Sequence, residues 1–137
     1  MSKVNNGFRG YIFSRPFMGE RVPQHVQNII IRDYCARKNI HYLLSATEYA
    51  MENSSLILKQ LISDLSSIDG IVSYSLFQMP EDNAERKSIF SKIISLNKEM
   101  HFAVEGLSLY DNESFNRIED IWRVKKTIPC CNFLEMV

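Results

Sequence analysis

Cysteine is scarce in this chain and badly placed for cross-linking: there are three, an odd number, and Cys130 and Cys131 are neighbours. That argues against a disulfide framework and leaves reduced thiols in the cytoplasm as the expectation. Cys35 reads as a small helix residue. Net charge is missing too. Sixteen Lys and Arg balance sixteen Asp and Glu, so no overall field exists to hold nucleic acid or an anionic membrane surface. No apolar run approaches the roughly 18 to 20 residues of a bilayer crossing, which excludes membrane insertion by a helix, and Met1 to Gly7 lacks the apolar core of a signal peptide. His25, His41 and His101 are scattered, and no His-x-x-x-His or Cys-x-x-Cys spacing occurs, so no metal is expected. Neither a Gly-x-Gly-x-x-Gly nor a Walker-type loop is present, and no cofactor is expected.

What is there is a globular composition, 45% hydrophobic and 23% charged over 137 residues, enough for one domain with its own core. Residues 1–137 read as a single unit, with 1–8 as a lead-in and 127–137 as a tail without clear period. Between them, apolar runs alternate with helical periodicity. Tyr11 to Ser14, Tyr42 to Leu44, Ile71 to Phe77 and Met100 to Val104 read as strands. A helix from about Pro23 to Lys38 carries Val26, Ile29, Ile30 and Tyr34 on one face, and proline suits its first position. A second helix, capped by Asn53 or Ser54, presents Ile57, Leu58, Leu61, Ile62 and Leu65. A third opens on Asp82 with Glu85 three residues on and buries Ile89, Phe90, Ile93 and Ile94. A last one, capped by Asp111 or Asn112, aligns Phe115, Ile118 and Trp122. Trp122 is either core packing or an anchor at a subunit contact.

Alternating strands and helices predict an α/β fold: three layers, a mostly parallel four-stranded sheet in the order 2-1-3-4, and helices on both faces. Ligands in such sheets bind at the carboxyl ends of the strands, at the switch point. The stretch from Gly10 to Asn28 feeds that edge. Its loop, stiffened by Pro16 and Pro23 and relaxed by Gly19, carries Arg15 and Arg21 beside a helix N-terminus, a pattern suited to an anion. The plainer alternative is surface charge, or an ion pair with Glu20 or Asp33.

The other loops at this edge contribute Ser45, Glu48 and Tyr49, then Tyr74, Ser75 and Gln78, then Glu105. Ser14 is a candidate nucleophile if His25 or Glu48 comes within reach as a base; otherwise it bonds the loop backbone. His25, Asn28 and Arg32 form a polar stripe on the first helix, lining a cleft or simply facing water. Glu48 and Glu105, at the ends of different strands, pair as acid and base or sit in exposed loops. The candidate catalytic set is therefore Ser14, His25, Glu48 and Tyr49, and the candidate ligand-binding set is Arg15, Gly19, Arg21, Asn28, Tyr74, Ser75 and Glu105.

Two resemblances add to this. Arg9 to Gly19 followed by Arg21 to Asn28, with Leu43 to Met51, Asp69 to Val72, Tyr74 to Phe77 and Glu119 to Arg123, resembles the sporadic carbohydrate cluster protein family across residues 7–125. That resemblance implies bacterial surface-polysaccharide assembly and no assigned reaction. The start of the chain is also similar to the catalytic domain of serine recombinases, where a Gly-Tyr strand ends near an arginine and a serine. Here Ser14 and Arg15 depart from that order and spacing, and Ser75 to Met79 replaces the family's Asp-Arg pair. The implied fold is resolvase-like or flavodoxin-like. The expected function is a cytoplasmic protein of surface-carbohydrate biosynthesis that binds an anionic small molecule, such as a nucleotide sugar or sugar phosphate. Metal-independent acid/base or group-transfer chemistry is expected if it is an enzyme. The alternative is a non-catalytic homo-oligomer assembling with glycosyltransferases of the pathway.

Overall fold

The computed structural model describes residues 7–17, 19, 21–51 and 53–127. The expected tail beyond residue 127, Cys130, Cys131, Glu20 and most of the expected lead-in lie outside the described residues. The strands are β1 (Phe8–Phe13), β2 (Tyr42–Glu48), β3 (Gly70–Ser73), β4 (Glu99–Phe102) and β5 (Leu107–Leu109). The helices are α1 (Gln24–Arg37), α2 (Leu56–Ser63), α3 (Asn83–Ser95) and α4 (Asn112–Thr127). Five strands therefore stand where four were expected, and the order becomes β2-β1-β3-β4-β5. The first three pairings are parallel, and β5 turns back antiparallel beside β4. Three residues are too few to show a period, which is why β5 left no mark in the sequence.

One face of the sheet is covered by α2, α3 and α4. There Tyr11, Phe13, Ile71, Met100 and Phe102 meet Leu58, Leu61, Ile89, Phe90, Ile93, Ile118 and Trp122. The other face carries α1, whose Ile31, Tyr34 and Cys35 pack on Ile12 and Val72. Each such side chain, fully buried, adds about 1.5 to 3 kcal/mol. Trp122 is core, wholly inaccessible, and not a subunit anchor.

Helix α1 is rotated from the expected face. Its buried residues are Gln27, Ile31, Tyr34 and Cys35, while Ile29, expected inside, is 60% exposed. Burial pushes the Cys35 thiol up to about 11. At pH 8 the folded protein should therefore label at Cys35 at least a hundredfold more slowly than the urea-unfolded chain, which timed alkylation and peptide mass mapping would measure.

Two close approaches require glycine. A Cβ on Gly70 would run into the Glu99 carbonyl of the neighbouring strand, and one on Gly10 would come within 2.9 Å of the Tyr42 hydroxyl. The bare backbone at Gly10 lets the Tyr42 ring lie across β1, where its hydroxyl reaches Asn28 Oδ1 at 3.3 Å. The helix caps of α3 and α4 follow the sequence. Asp82 accepts from the Glu85 N–H at 2.8 Å, and Asp111 from the Ser114 N–H at 2.8 Å. Among the described residues no helix is long and apolar enough to cross a membrane.

Candidate functional site

The carboxyl edge of the sheet gathers the ends of β1, β2, β3 and β4, as a doubly wound fold requires. Its switch point lies between β1 and β3. The β1–β3 ladder runs from the Phe8–Gly70 pair to the Tyr11–Ser73 pair, and the Tyr74 N–H still donates to the Tyr11 carbonyl at 3.2 Å. Beyond that the strands part.

A glutamine fills the opening. The Phe13 N–H donates to Gln27 Oε1 and Gln27 Nε2 donates to the Phe13 carbonyl, both at 2.9 Å, so the amide replaces the missing strand neighbour. Gln27 Nε2 also reaches the Val22 carbonyl at 2.8 Å. Gln78 Nε2 donates to Gln27 Oε1 at 2.9 Å, and Ser73 Oγ donates to Gln78 Oε1 at 3.1 Å. Both glutamines are buried. The crevice expected to hold a ligand is occupied by side-chain amides whose polar groups satisfy one another. The sequence places Gln78 at this edge but gives no such place to Gln27. Its readable signal is its phase, four and seven residues before the buried Ile31 and Tyr34.

Glu48 is the most heavily bonded group at this edge. It ends β2, inside the protein at 1% exposure, and is not in an exposed loop as expected. Its Oε1 accepts from Tyr11 Oη at 2.8 Å and the Leu58 N–H at 3.2 Å. Its Oε2 accepts from Ser54 Oγ at 2.9 Å, the Tyr49 N–H at 3.1 Å and the Ile57 N–H at 3.2 Å. Neither Asn53 nor Ser54 is the N-cap of α2; Ser55 is, without a side-chain capping bond. A carboxylate two turns of sequence earlier thus does the capping, where the helix's positive end favours it. Burial pushes the Glu48 carboxyl up, but the bonds from Tyr11, Ile57, Ser54 and Leu58 outweigh it and hold the group below the ordinary glutamate value. Tyr11 is correspondingly driven far upward, first by burial and then by the Glu48 charge, and stays a neutral donor.

The remaining expected residues divide into those locked within the fold and those left outside it. Ser14 Oγ donates to the backbone carbonyl of Glu48 at 2.9 Å, not to its carboxylate. Arg15 donates to the carbonyls of Tyr49 at 3.0 Å and Ser54 at 3.1 Å, and lies 4.0 Å over the Phe13 ring. Glu105 accepts from the Leu76 N–H and from Ser75 Oγ, both at 2.8 Å. These bonds fasten the 3-10 turn Leu76–Gln78, which replaces the second half of the expected third strand. Tyr74 meets Phe17 edge-on at 6.0 Å. Gly19, with φ of 76°, is exposed and has nothing near its Cβ position. The His25 and Arg21 side chains are exposed, and neither forms a hydrogen bond or ion pair with a described residue. Tyr49 is exposed, and among the described residues its hydrogen bonds run through its backbone, to Arg15 and the Glu48 carboxylate.

Beside this network lies a cleft of about 260 Å³. Phe13, Phe17, Phe77 and Met79 give it apolar walls, Arg15 and Lys125 two cations, and Glu81, Asp82 and Glu85 three carboxylates. Arg21 does not line it, so the two arginines do not converge here. The edge therefore supplies structural caps and a mixed-charge cleft, while the Ser14 hydroxyl is bonded to the Glu48 carbonyl and, among the described residues, not to the His25 ring that would have to activate it.

Comparison with solved structures places the fold in a class. The chain superposes on the N-terminal catalytic domain of TP901-1 integrase with a TM-score of 0.64 at 10% identity, covering 87% of this chain and 95% of that one. It also superposes on a resolvase family site-specific recombinase from Streptococcus pneumoniae with a TM-score of 0.60 at 7% identity, covering 88% and 89%. The fold is thus that of serine recombinase and resolvase catalytic domains, and at such identities the likeness concerns the fold alone. No curated protein matches the chain. A family model described as Poxvirus A51 protein matches residues 14–136, and the chain belongs to that family.

Proposed function

We propose that this chain is a non-catalytic interaction domain built on a resolvase-like scaffold. The observation that carries the reading is the state of Glu48: five donors saturate its carboxylate, leaving no lone pair directed at a substrate. Ser14 spends its proton on a carbonyl, which is no base, and Glu105 is committed to two donors of its own. Exposed apolar side chains supply what an interaction domain needs. Leu44, Tyr49, Met51 and Leu56 stand out of β2, the loop after it and the start of α2.

The test is a turnover screen with phosphoesters, nucleotide sugars and supercoiled DNA, run with wild type and Ser14→Ala. No Ser14-dependent turnover is expected, and Ser14→Ala should lower stability by no more than about 1 kcal/mol, the worth of one partly exposed hydrogen bond. Turnover that disappears in Ser14→Ala would overturn the reading.

A second reading has one observation in its favour: Arg15 and Lys125 both line the aromatic-walled cleft, which would suit an anionic sugar phosphate or nucleotide sugar. The three carboxylates in the same wall weigh against it. Surface-carbohydrate biosynthesis, with glycosyltransferase partners, rests on the sequence resemblance; membership of a poxvirus family adds no support to it. Isothermal titration of sugar nucleotides against wild type and Lys125→Ala would decide whether the cleft takes such a ligand.

A further inference from the structure

The parallel edge of the sheet is β2, paired with β1 on one side and, among the described residues, with no strand on the other. Every second residue of such a strand turns its N–H and C=O away from its neighbour, a template for another strand. Proteins usually blunt such edges with lysine, proline or short length. The strand Tyr42–Glu48 has seven residues, no lysine and no proline, and its single charge is the buried Glu48.

A bulge interrupts it near the start. Phe8 pairs with Tyr42 but Gly10 with Ser45, so β2 carries an extra residue there. Leu44 is thrown outward to 77% exposure. Arg9 Nε donates to its carbonyl at 2.7 Å, leaving both Nη groups without a described partner. Arg32, from α1, stands 5.8 Å over the Tyr42 ring. Arg9, Arg32, Tyr42, Leu43 and Leu44 line an open groove of about 550 Å³. It holds two guanidinium groups and no carboxylate, and neither arginine has an acidic partner among the described residues. The adjacent Asp33 is taken by Arg37 at 2.9 Å.

We propose that the outer edge of β2 binds an extended acidic segment of another protein as an added strand, its backbone pairing with β2 and its carboxylates with Arg9 and Arg32. Main-chain pairing supplies affinity and the flanking side chains supply selectivity. Charge decides between occupants. A second copy joined by a two-fold axis about Leu44 would bring the guanidiniums of one chain toward those of the other, whereas a strand bearing Asp or Glu neutralises them. The inference deepens the interaction reading and rests on it.

The probe is a fluorescent peptide alternating glutamate and valine, followed by anisotropy and by amide hydrogen exchange. Binding is expected, with added protection across residues 42–48. An alternating lysine and valine peptide should not bind. Arg32→Glu, an exposed helix-surface change whose fold is checked by circular dichroism, should weaken binding at least about tenfold. Of two peptides N-methylated on every glutamate or every valine amide, one should lose binding and the other keep it, since only one set of amides faces β2.

The proposal is overturned by the absence of binding, or by both N-methylated peptides binding like the parent. It is also overturned if an oligonucleotide displaces the peptide and protects the same amides, or if the protein alone forms a dimer protected at 42–48. A peptide that fails while no Ser14-dependent turnover exists removes the edge site and leaves the interaction reading standing. Ser14-dependent turnover removes that reading whatever the peptide does.

Discussion

Replacing Glu119 with leucine should destabilise the fold by about 3 to 5 kcal/mol, because it leaves a buried guanidinium without its counter-charge. Arg86 sits on α3 at 1% exposure and uses all five of its N–H donors. Nε and Nη2 take the two oxygens of Glu119 on α4 at 2.8 and 2.7 Å. Nη2 also reaches Asn83 Oδ1 at 2.8 Å, and Nη1 reaches the carbonyls of Pro80 at 3.1 Å and Glu81 at 3.2 Å. The guanidinium lies 4.4 Å over Trp122. This one fork ties α4, α3 and the turn before α3 together. Truncating Glu119 strands the charge, while Arg86→Met with Glu119→Leu removes both ions at once. The double variant should therefore lose clearly less than the two single losses summed, a coupling that urea unfolding of all four proteins would measure. Strictly additive losses would mean that the pair is not a unit.

Replacing Glu48 with glutamine should cost about 3 kcal/mol or more. Whichever way the amide is turned, its NH₂ faces at least one backbone N–H that a carboxylate oxygen had satisfied, Leu58 on one side or Tyr49 and Ile57 on the other. Buried donors stripped of acceptors cost about 1 to 3 kcal/mol each, against a total stability of about 5 to 15 kcal/mol. The charge also makes stability depend on pH. The folded carboxyl titrates below the unfolded one, so the unfolded chain takes up its proton first as pH falls. The contribution of Glu48 is fully present above the unfolded value of about 4.3 and is lost as pH drops through the folded value. Glu48→Gln should flatten that acid limb in a series of denaturant titrations. An unchanged limb would mean that the carboxyl titrates alike in both states.

These two carboxylates also show what a sequence conceals. Helices α3 and α4 were legible because their caps and apolar spacing agree: Asp82 with Ile89, Phe90 and Ile93, and Asp111 with Ile118 and Trp122. Yet Arg86 falls three, four and seven residues before that same apolar set, and Glu119 three before Trp122. A charge in phase with a buried stripe, matched by its opposite on a neighbouring helix, is the signal for a buried pair.

Helix α1 turns a different face inward from the one its apolar spacing suggests, because a fully buried residue of its first turn, Gln27, is polar. It satisfies a backbone position that β3 abandons, a need that exists only once the strands are assembled. The end of β2 was missed since Ser45 to Glu48 reads as a loop, and an edge strand is sheltered too little to enforce an apolar pattern. The residues gathered at the carboxyl edge were largely anticipated. Their tasks were not, because whether a carboxylate caps a helix or meets a substrate depends on which donors the fold brings to it.

Glu48 serves this fold as an ionised cap, and carbon-detected NMR titration of its side-chain carboxyl tests that most directly. A transition below the ordinary glutamate range is predicted, with the Ile57 and Leu58 amide protons shifting upfield together as the carboxylate takes its proton. A transition above that range, with those two amides unmoved, would describe a poised acid and contradict the structural role assigned here.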